Sequence, residues 1–284
     1  MRNIASYFCG WYYRCQSENQ TIALIPAIHT SVGKKTASIQ IISGDGCWNT
    51  VLPDGTVSAK MPRASLGESI FREDKVCLSL HTDSVDAEGE LRFEGFTPLR
   101  YDIMGPFRYV PFMECRHSVF SMRHTVNGLL RVNGIDYRFS NSNGYIEGDR
   151  GRSFPRQYAW TQCFLDGASL MLSIAEIPMG PVRFTGVIGA VCMDKREYRL
   201  ATYLGAQVIK CSGGELAVRQ GDMTLTAALL EKNASALCAP DKGTMTRLIR
   251  ENASCRVRYE LIKGSQKLLS SEADNAAFEY EYRR

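Results

Sequence analysis

Short runs of apolar residues alternating with polar ones dominate this chain, and most are bounded by glycine, asparagine, aspartate or proline. Alternation with a period of two predicts β-strands, because successive side chains of a strand point to opposite faces. The predicted strands are 37–43, 76–81, 91–96, 118–122, 129–133, 170–177, 184–193, 198–204, 207–210 and 255–262.

Dipeptides that favour tight turns separate many of these runs. Asn-Gly and Asp-Gly suit two-residue hairpin loops, in which both central residues need a positive φ. These dipeptides and one Gly-Gly lie at 45–46, 54–55, 127–128, 133–134, 143–144 and 213–214. Strands joined in this way form an antiparallel meander, and closure into barrels removes exposed sheet edges. We therefore predict an all-β protein built of one or two antiparallel barrels, with little helix.

Helix remains open in a few segments. Residues 65–74 could form a turn or two of helix, and 224–237 and 244–252 have a composition that suits helices. The alternative for 224–237 is a hairpin with its turn at Lys232-Asn233. We favour strands in this region.

A weak internal echo suggests two domains. GWYYRC at 10–15 and GYIEGDRG at 144–151 each combine glycine with aromatic residues and precede a predicted strand. The echo places a boundary between residues 125 and 145. We predict an N-terminal β domain over 1–135 and a C-terminal β domain over 136–284, packed closely together because no low-complexity linker separates them.

Composition excludes several classes of function. The net charge is +4, and no run of Lys and Arg is longer than two residues, so nucleic acid is not an expected partner. The N-terminal residues lack a secretory pattern, and the chain has no apolar run of about 18 residues that could span a membrane. Ten irregularly spaced cysteines without a CxxC pair favour reduced thiols in the cytoplasm over a zinc site. We expect no metal and no cofactor, and the oligomeric state stays open.

The run Gly144–Cys163 concentrates the candidate chemistry. In an extended segment Glu147 and Asp149 share one face, so they could form a carboxylate pair in which one group keeps its proton and acts as a general acid. The alternative is an ion-pair network in which Arg150 and Arg152 neutralise both carboxylates. The spacing alone allows both interpretations.

His117 is a further acid–base candidate. If 115–123 is a regular strand, His117 shares a face with Ser121, and His124 lies on the other face. The two histidines would then not bind one metal ion. A structural role for His117 and a role in proton transfer both remain open.

Several motifs taken in order resemble the tocopherol cyclase-like family, which is related to the lipocalin-like carotenoid 1,2-hydratases and pericyclases. They cover about residues 7–260 and are FCGWYYR, IMGPFRYVPFMECRHSVFSMRHTVNGLLRVNG, GYIEGDRGRSFPRQYAWTQ, SLMLSIAEIP, FTGVIGAV and LCAPDKGTMTRLIREN. The central pattern of Gly-Tyr-Ile-Glu, Ser-Phe-Pro and Trp-x-Gln is the most specific of these.

The resemblance implies two lipocalin-like barrels or open barrels and a pocket for a prenylated or polyene substrate. In such chemistry a general acid protonates an alkene and a phenol oxygen captures the cation, which gives an isomer of a prenylated quinol. The implied catalytic residues are Glu147, Asp149 and His117. The implied substrate-binding residues are Trp11, Tyr13, Glu114, Tyr145, Arg152, Phe154, Trp160 and Gln162, of which the aromatic ones could stabilise a cation.

The central run departs from the family pattern Glu-Lys-x-Trp-Gly, because Gly148 replaces the lysine and Arg150 the tryptophan. A guanidinium facing a cationic intermediate would be unfavourable, so Arg150 should point away or pair with a carboxylate, or the substrate differs. Besides a terpenoid cyclase, two functions stay open: a binding protein for an apolar ligand, and a hydratase of an isoprenoid double bond. Transient contact with a membrane surface also stays open, since quinone substrates reside in bilayers.

Overall fold

The computed structural model describes residues 6–31, 33–111, 113–179, 182–231, 235–241 and 244–282. These residues are nearly all β and form two large antiparallel sheets, one of which is a curled half-barrel. The predicted all-β fold is therefore confirmed. Among the described residues, no helix has both the length and the apolar character needed to cross a membrane.

The first sheet contains 11 strands in the order β4-β3-β2-β1-β11-β10-β9-β8-β7-β6-β5. Its strands are β1 (Tyr7–Gln16), β2 (Thr21–Ser31), β3 (Lys34–Ser43), β4 (Gly46–Leu52), β5 (Thr56–Val57), β6 (Ala64–Leu66), β7 (Ser69–Phe71), β8 (Lys75–His81), β9 (Asp86–Glu94), β10 (Cys115–Val132) and β11 (Ile135–Gly151). A short 3-10 helix, Gly105–Tyr109, lies between β9 and β10.

The second sheet has the order β15-β14-β13-β12-β21-β20-β18-β17-β16, with β19 also paired to β20. Its strands are β12 (Tyr158–Leu165), β13 (Ala168–Met179), β14 (Val182–Met193), β15 (Arg196–Ala201), β16 (Gln207–Ser212), β17 (Glu215–Gln220), β18 (Met223–Leu229), β19 (Ser235–Asp241), β20 (Thr244–Lys263) and β21 (Gln266–Tyr280). A 3-10 turn, Thr202–Leu204, follows β15.

Both sheets follow the same path. In each, a meander of four strands leaves the middle of the sheet, and the last strand in chain order returns to pair with the first, β11 with β1 and β21 with β12. One compact unit is built on β1 to β11, and another on β12 to β18, β21 and residues 249–263 of β20. Each unit has its own hydrophobic core.

The similarity between segments 10–15 and 144–151 does not mark corresponding positions of two domains. These segments pair directly within the first sheet, with Gly10 opposite Asp149 and Arg14 opposite Tyr145. They are therefore neighbours and not equivalent parts of two repeats. The chain passes from the first sheet to the second between β11 and β12, and the boundary at 135–136 stays a prediction.

Of the three predicted Asn-Gly turns, only Asn133-Gly134 forms a hairpin, with φ values of 49° and 82°. The pairs at 127–128 and 143–144 lie inside the long strands β10 and β11. Gly128, however, lies at a register shift in β10, where an added Cβ would stand 2.1 Å from the carbonyl oxygen of Glu90. An added Cβ on Gly144 would stand 2.1 Å from Nε2 of His124. Gly128 makes room for the backbone of a neighbouring strand, and Gly144 makes room for a histidine ring. Because residues 127–128 do not form a turn, the predicted strands 118–122 and 129–133 are parts of one strand, β10, which ends at Val132.

The segments for which helix was open are strands where the structure describes them. Residues 64–66 and 69–71 form β6 and β7, and 223–229 form β18. β18 pairs with β20 and β17. The turn predicted at Lys232-Asn233 lies outside the described residues.

Candidate active site

The face of the first sheet opposite its core carries a group of buried polar side chains. Residues paired across an antiparallel ladder share a face. Trp11 and Tyr13 of β1 belong to the core, so Tyr12 and Arg14 face the other way. We call this second face the polar face. Its members on β1, β10 and β11 include Tyr12, Arg14, Cys115, His117, Tyr145, Glu147 and Asp149.

His117 lies between the two candidate carboxylates. Its Nδ1 is 3.1 Å from Oδ1 of Asp149, and its Nε2 is 3.2 Å from Oε2 of Glu147. The contact of Nδ1 with Asp149 is a hydrogen bond. The contact of Nε2 with Glu147 is an ion pair whose angle at Nε2 falls outside hydrogen-bond geometry. Only 12% of the His117 side chain and 8% of the Glu147 side chain are exposed. We call this arrangement the His117 clamp.

Neighbouring side chains hold both carboxylates. The Tyr145 hydroxyl donates to Oε2 of Glu147 at 2.6 Å, and the Cys115 thiol donates to Oδ1 of Asp149 at 3.4 Å. Strand register brings these groups together, since His117 stands opposite Asp149 and Val119 opposite Glu147. Glu147 and Asp149 share a face because one residue, Gly148, separates them on β11.

Two opposing effects set the charge of His117. Burial disfavours the imidazolium, but the carboxylates of Asp149 and Glu147 together outweigh it and raise the pKa of His117 well above its ordinary value. The ring is therefore a cation at neutral pH. Burial, followed by the charge of Glu147, raises the pKa of the Tyr145 hydroxyl well above its ordinary value, so Tyr145 remains a donor.

The clamp also contains groups that bind metals. One ligand atom each from His117, Glu147 and Asp149 lies within 4.8 Å of the others. The carboxylates, however, contact opposite ring nitrogens. A single ion can bind only one of these nitrogens, which would leave the other carboxylate to orient the ring. The geometry fits a protonated ring between two carboxylates better than an ion shared by three ligands.

The arginines do not neutralise these carboxylates as the alternative required. Among ion pairs of the described residues, none joins Arg150 or Arg152 to Glu147 or Asp149. Arg150 directly follows Asp149 on β11, so its side chain lies on the opposite face of the sheet. Arg152 is exposed. Of the three alternatives for Arg150, this register corresponds to the one in which the side chain points away from the carboxylates.

The candidate substrate-binding residues are dispersed. Trp11 and Tyr13 lie on the core face, where they donate to the carbonyl oxygens of Ser58 and Pro62 at 2.7 and 2.6 Å. Phe154 meets Phe8 edge to face, with ring centroids 5.4 Å apart. Only Tyr145 of this set directly contacts the His117 clamp among the contacts described for the first unit.

The other candidates belong to the second unit. Trp160 and Gln162 are buried on β12, facing away from the core residues Ala159 and Cys163. Glu114 is half-buried just before β10. Their roles in binding substrate stay predictions.

Sequence reasoning missed part of the polar face. Arg14 is fully buried and donates from Nη1 to Gln16 at 2.8 Å. The alternation of β1 could have shown that Tyr12 and Arg14 share a face. The expected neighbour of His117, Ser121, is instead opposite Ile146, because a register shift between Val119 and Ser121 turns it to the core face.

Comparison with known proteins identifies the fold. No protein-family model matches this chain, and no curated protein matches its sequence. Solved structures with the same fold include a protein assigned as AttH from Nitrosomonas europaea, at 11% identity and TM-score 0.56 over 100% of this chain and 94% of that one. CghA with Sch210972 matches at 9% identity and TM-score 0.62, over 97% and 88% of the two chains. Kievitone hydratase from Nectria haematococca matches at 10% and 0.53, over 98% and 90%. These likenesses support the lipocalin-like β fold that the motifs implied.

Proposed function

We propose that this protein is an enzyme that transfers protons to and from a small hydrophobic substrate containing a carbon–carbon double bond. The reaction we favour is intramolecular cyclisation of a prenylated quinol or a related terpenoid. The observation that carries the proposal is the His117 clamp, in which Asp149 and Glu147 hold a buried imidazolium from opposite sides. A carboxylate pair with a protonated ring between them can both give and accept a proton.

Cyclisation needs one proton delivered and one removed. His117 donates its proton to one carbon of the alkene, and the phenol oxygen bonds to the other carbon. The phenol proton then passes to the clamp, which restores the imidazolium. Atoms balance, so the product is an isomer of the substrate. Addition of water to the same alkene would use the same proton transfers, with water in place of the phenol.

The charge of the clamp suits this chemistry. The clamp sets two carboxyl groups beside one imidazole, and a positive charge that develops on carbon is stabilised by preorganised negative groups nearby. Arg150 points from the other face of β11 and does not oppose this effect. Gly148, which departs from the family pattern, leaves space that the Trp11 ring fills on the core side.

Two of the similar structures support this class of function by their names. Kievitone hydratase is a hydratase, and CghA was solved with a small molecule, Sch210972. The hydratase supports water addition as the second candidate reaction.

Incubation of the purified protein with a prenylated benzoquinol, followed by liquid chromatography and mass spectrometry, tests the proposal. Cyclisation leaves the mass unchanged and shifts the retention time, whereas hydration adds the mass of one water. We expect His117→Gln to reduce the rate by about 100-fold or more, the scale of general acid–base catalysis. His81→Gln is the matched control, since His81 forms an exposed ion pair with Asp86 elsewhere in the first unit.

Other outcomes contradict the proposal in different ways. Full activity in Glu147→Gln and Asp149→Asn would show that the clamp is not the acid. Absence of both products, with the quinol retained by the protein through gel filtration, would favour the binding protein instead.

A further inference from the structure

The polar face carries a second buried polar group, on β2 and β3. Phe8 of β1 stands opposite His29, and Ala27 of β2 stands opposite Ser38. Gly10 is opposite both Ala27 on β2 and Asp149 on β11. The ladder therefore runs from Asp149 through Gly10 and Ala27 to Ser38 on one face, and His29 shares that face.

His29 has an unused ring nitrogen in a buried position. The residue is 4% exposed, and its Nε2 lies 2.9 Å from the Ser38 hydroxyl oxygen. Its Nδ1 has no hydrogen-bond partner. Burial lowers the pKa of His29 to about 4, so the ring is neutral at neutral pH and offers one donor and one acceptor. A buried polar atom without a partner costs free energy that a ligand can recover.

Small residues separate this group from the His117 clamp. Gly10 and Ala27 present a hydrogen and a methyl group to the polar face, and a Cβ added to Gly10 would stand 3.0 Å from the Cβ of Ala27. Asp149 and Ser38 are three strand spacings apart, about 14 Å at ~4.8 Å per spacing. Ser38 and Asp149 therefore lie at opposite ends of one run of small residues on the polar face.

We propose that Nδ1 of His29 binds the substrate group farthest from the His117 clamp, the ring hydroxyl that cyclisation leaves free. This inference rests on the proposed function and makes His29 a residue that selects quinols over phenols with a single hydroxyl. Ser38 positions the ring through Nε2.

Binding of unreactive ligands tests this inference separately from turnover. A prenylated quinol and the corresponding phenol without the distal hydroxyl, both with hydrogenated tails, cannot cyclise. Isothermal titration calorimetry should show that the wild type binds the quinol roughly tenfold more tightly, the effect of one hydrogen bond. Two variants separate the ring atoms: His29→Gln places its amide where Nε2 stands, and His29→Asn places its amide where Nδ1 stands.

We expect His29→Gln to bind both ligands equally and His29→Asn to retain a preference for the quinol. Equal affinities in the wild type would overturn the inference. It would also be overturned by a preference that survives His29→Gln and disappears in His29→Asn, because the Ser38 contact would then matter and Nδ1 would not. Since neither ligand can react, these results hold whether or not the wild type cyclises the unsaturated quinol.

Discussion

Replacement of Glu147 by glutamine should lower the pKa of His117 without changing the shape of the site. Oε2 of Glu147 lies 3.2 Å from Nε2 of His117, and both side chains are nearly buried. Removal of one opposite charge at such a distance lowers a pKa by roughly 1–3 units. That shift equals about 1.4–4 kcal/mol of lost interaction with the charged ring.

The effect on stability has a definite sign. The folded protein holds His117 at a raised pKa, whereas the unfolded chain has an ordinary histidine pKa of about 6.5. The stabilisation by His117 is therefore complete below about pH 6.5 and is lost as the pH rises through the folded pKa. Within that window the wild type loses about 1.4 kcal/mol per pH unit from this residue. Glu147→Gln lowers the folded pKa of His117, so the stabilisation by His117 is lost at a lower pH than in the wild type.

Urea unfolding of both proteins between about pH 6 and pH 9 measures this difference. Titrations of other groups are common to the two proteins and cancel when their free energies of unfolding are subtracted. We expect the variant to be less stable near neutral pH and the difference to shrink as the pH rises. Asp54→Asn, the same exchange of carboxylate for amide at an exposed position, is the control and should show no such trend. Equal free energies of unfolding for wild type and Glu147→Gln near neutral pH would refute the assignment of a charged His117.

Two further predictions concern the core face of the same sheet. Gly148→Ala should reduce the free energy of unfolding by about 1–3 kcal/mol, because the new Cβ would stand 2.6 Å from the Trp11 ring; Gly44→Ala, with open space around it, should be neutral, and equal losses in urea unfolding would contradict the explanation. His124→Leu should reduce the loss of stability between pH 7 and about pH 4, since burial holds the pKa of His124 at about 3 and the unfolded chain takes up a proton below about pH 6.5. An unchanged acid loss would show that His124 does not control it.

Alternation predicted the fold class but not the lengths of the strands. β10 and β11 contain 18 and 17 residues, and two Asn-Gly pairs within them have the composition of turns. A side chain at Gly128 would collide with the backbone of Glu90 on β9, and a side chain at Gly144 would collide with His124 on β10. Both neighbours are far from these glycines in the sequence and are brought close only by strand pairing. Local composition cannot distinguish a glycine in a turn from one that faces a bulky neighbour.

The same limit applies to the candidate site. The shared face of Glu147 and Asp149 followed from strand spacing, and His117 was a candidate from its chemistry. Their meeting depends on the pairing of β10 with β11 and on a register shift after Val119. The sequence does not display that shift, so Ser121 was placed beside His117 although it faces the core.

The return of the last strand to the first has a consequence for folding. β1 cannot gain its second neighbour until β11 has been made, and Gly10 pairs with Asp149 far along the chain. Pairings between such distant residues close late and slowly, because a long loop must lose its conformational entropy first. During synthesis β1 to β4 can form a hairpin meander early, but the edge of β1 that receives β11 stays open. The His117 clamp lies on β10 and β11, the last strands of the first sheet to be synthesised, and a chain released before β11 carries an exposed edge that invites association.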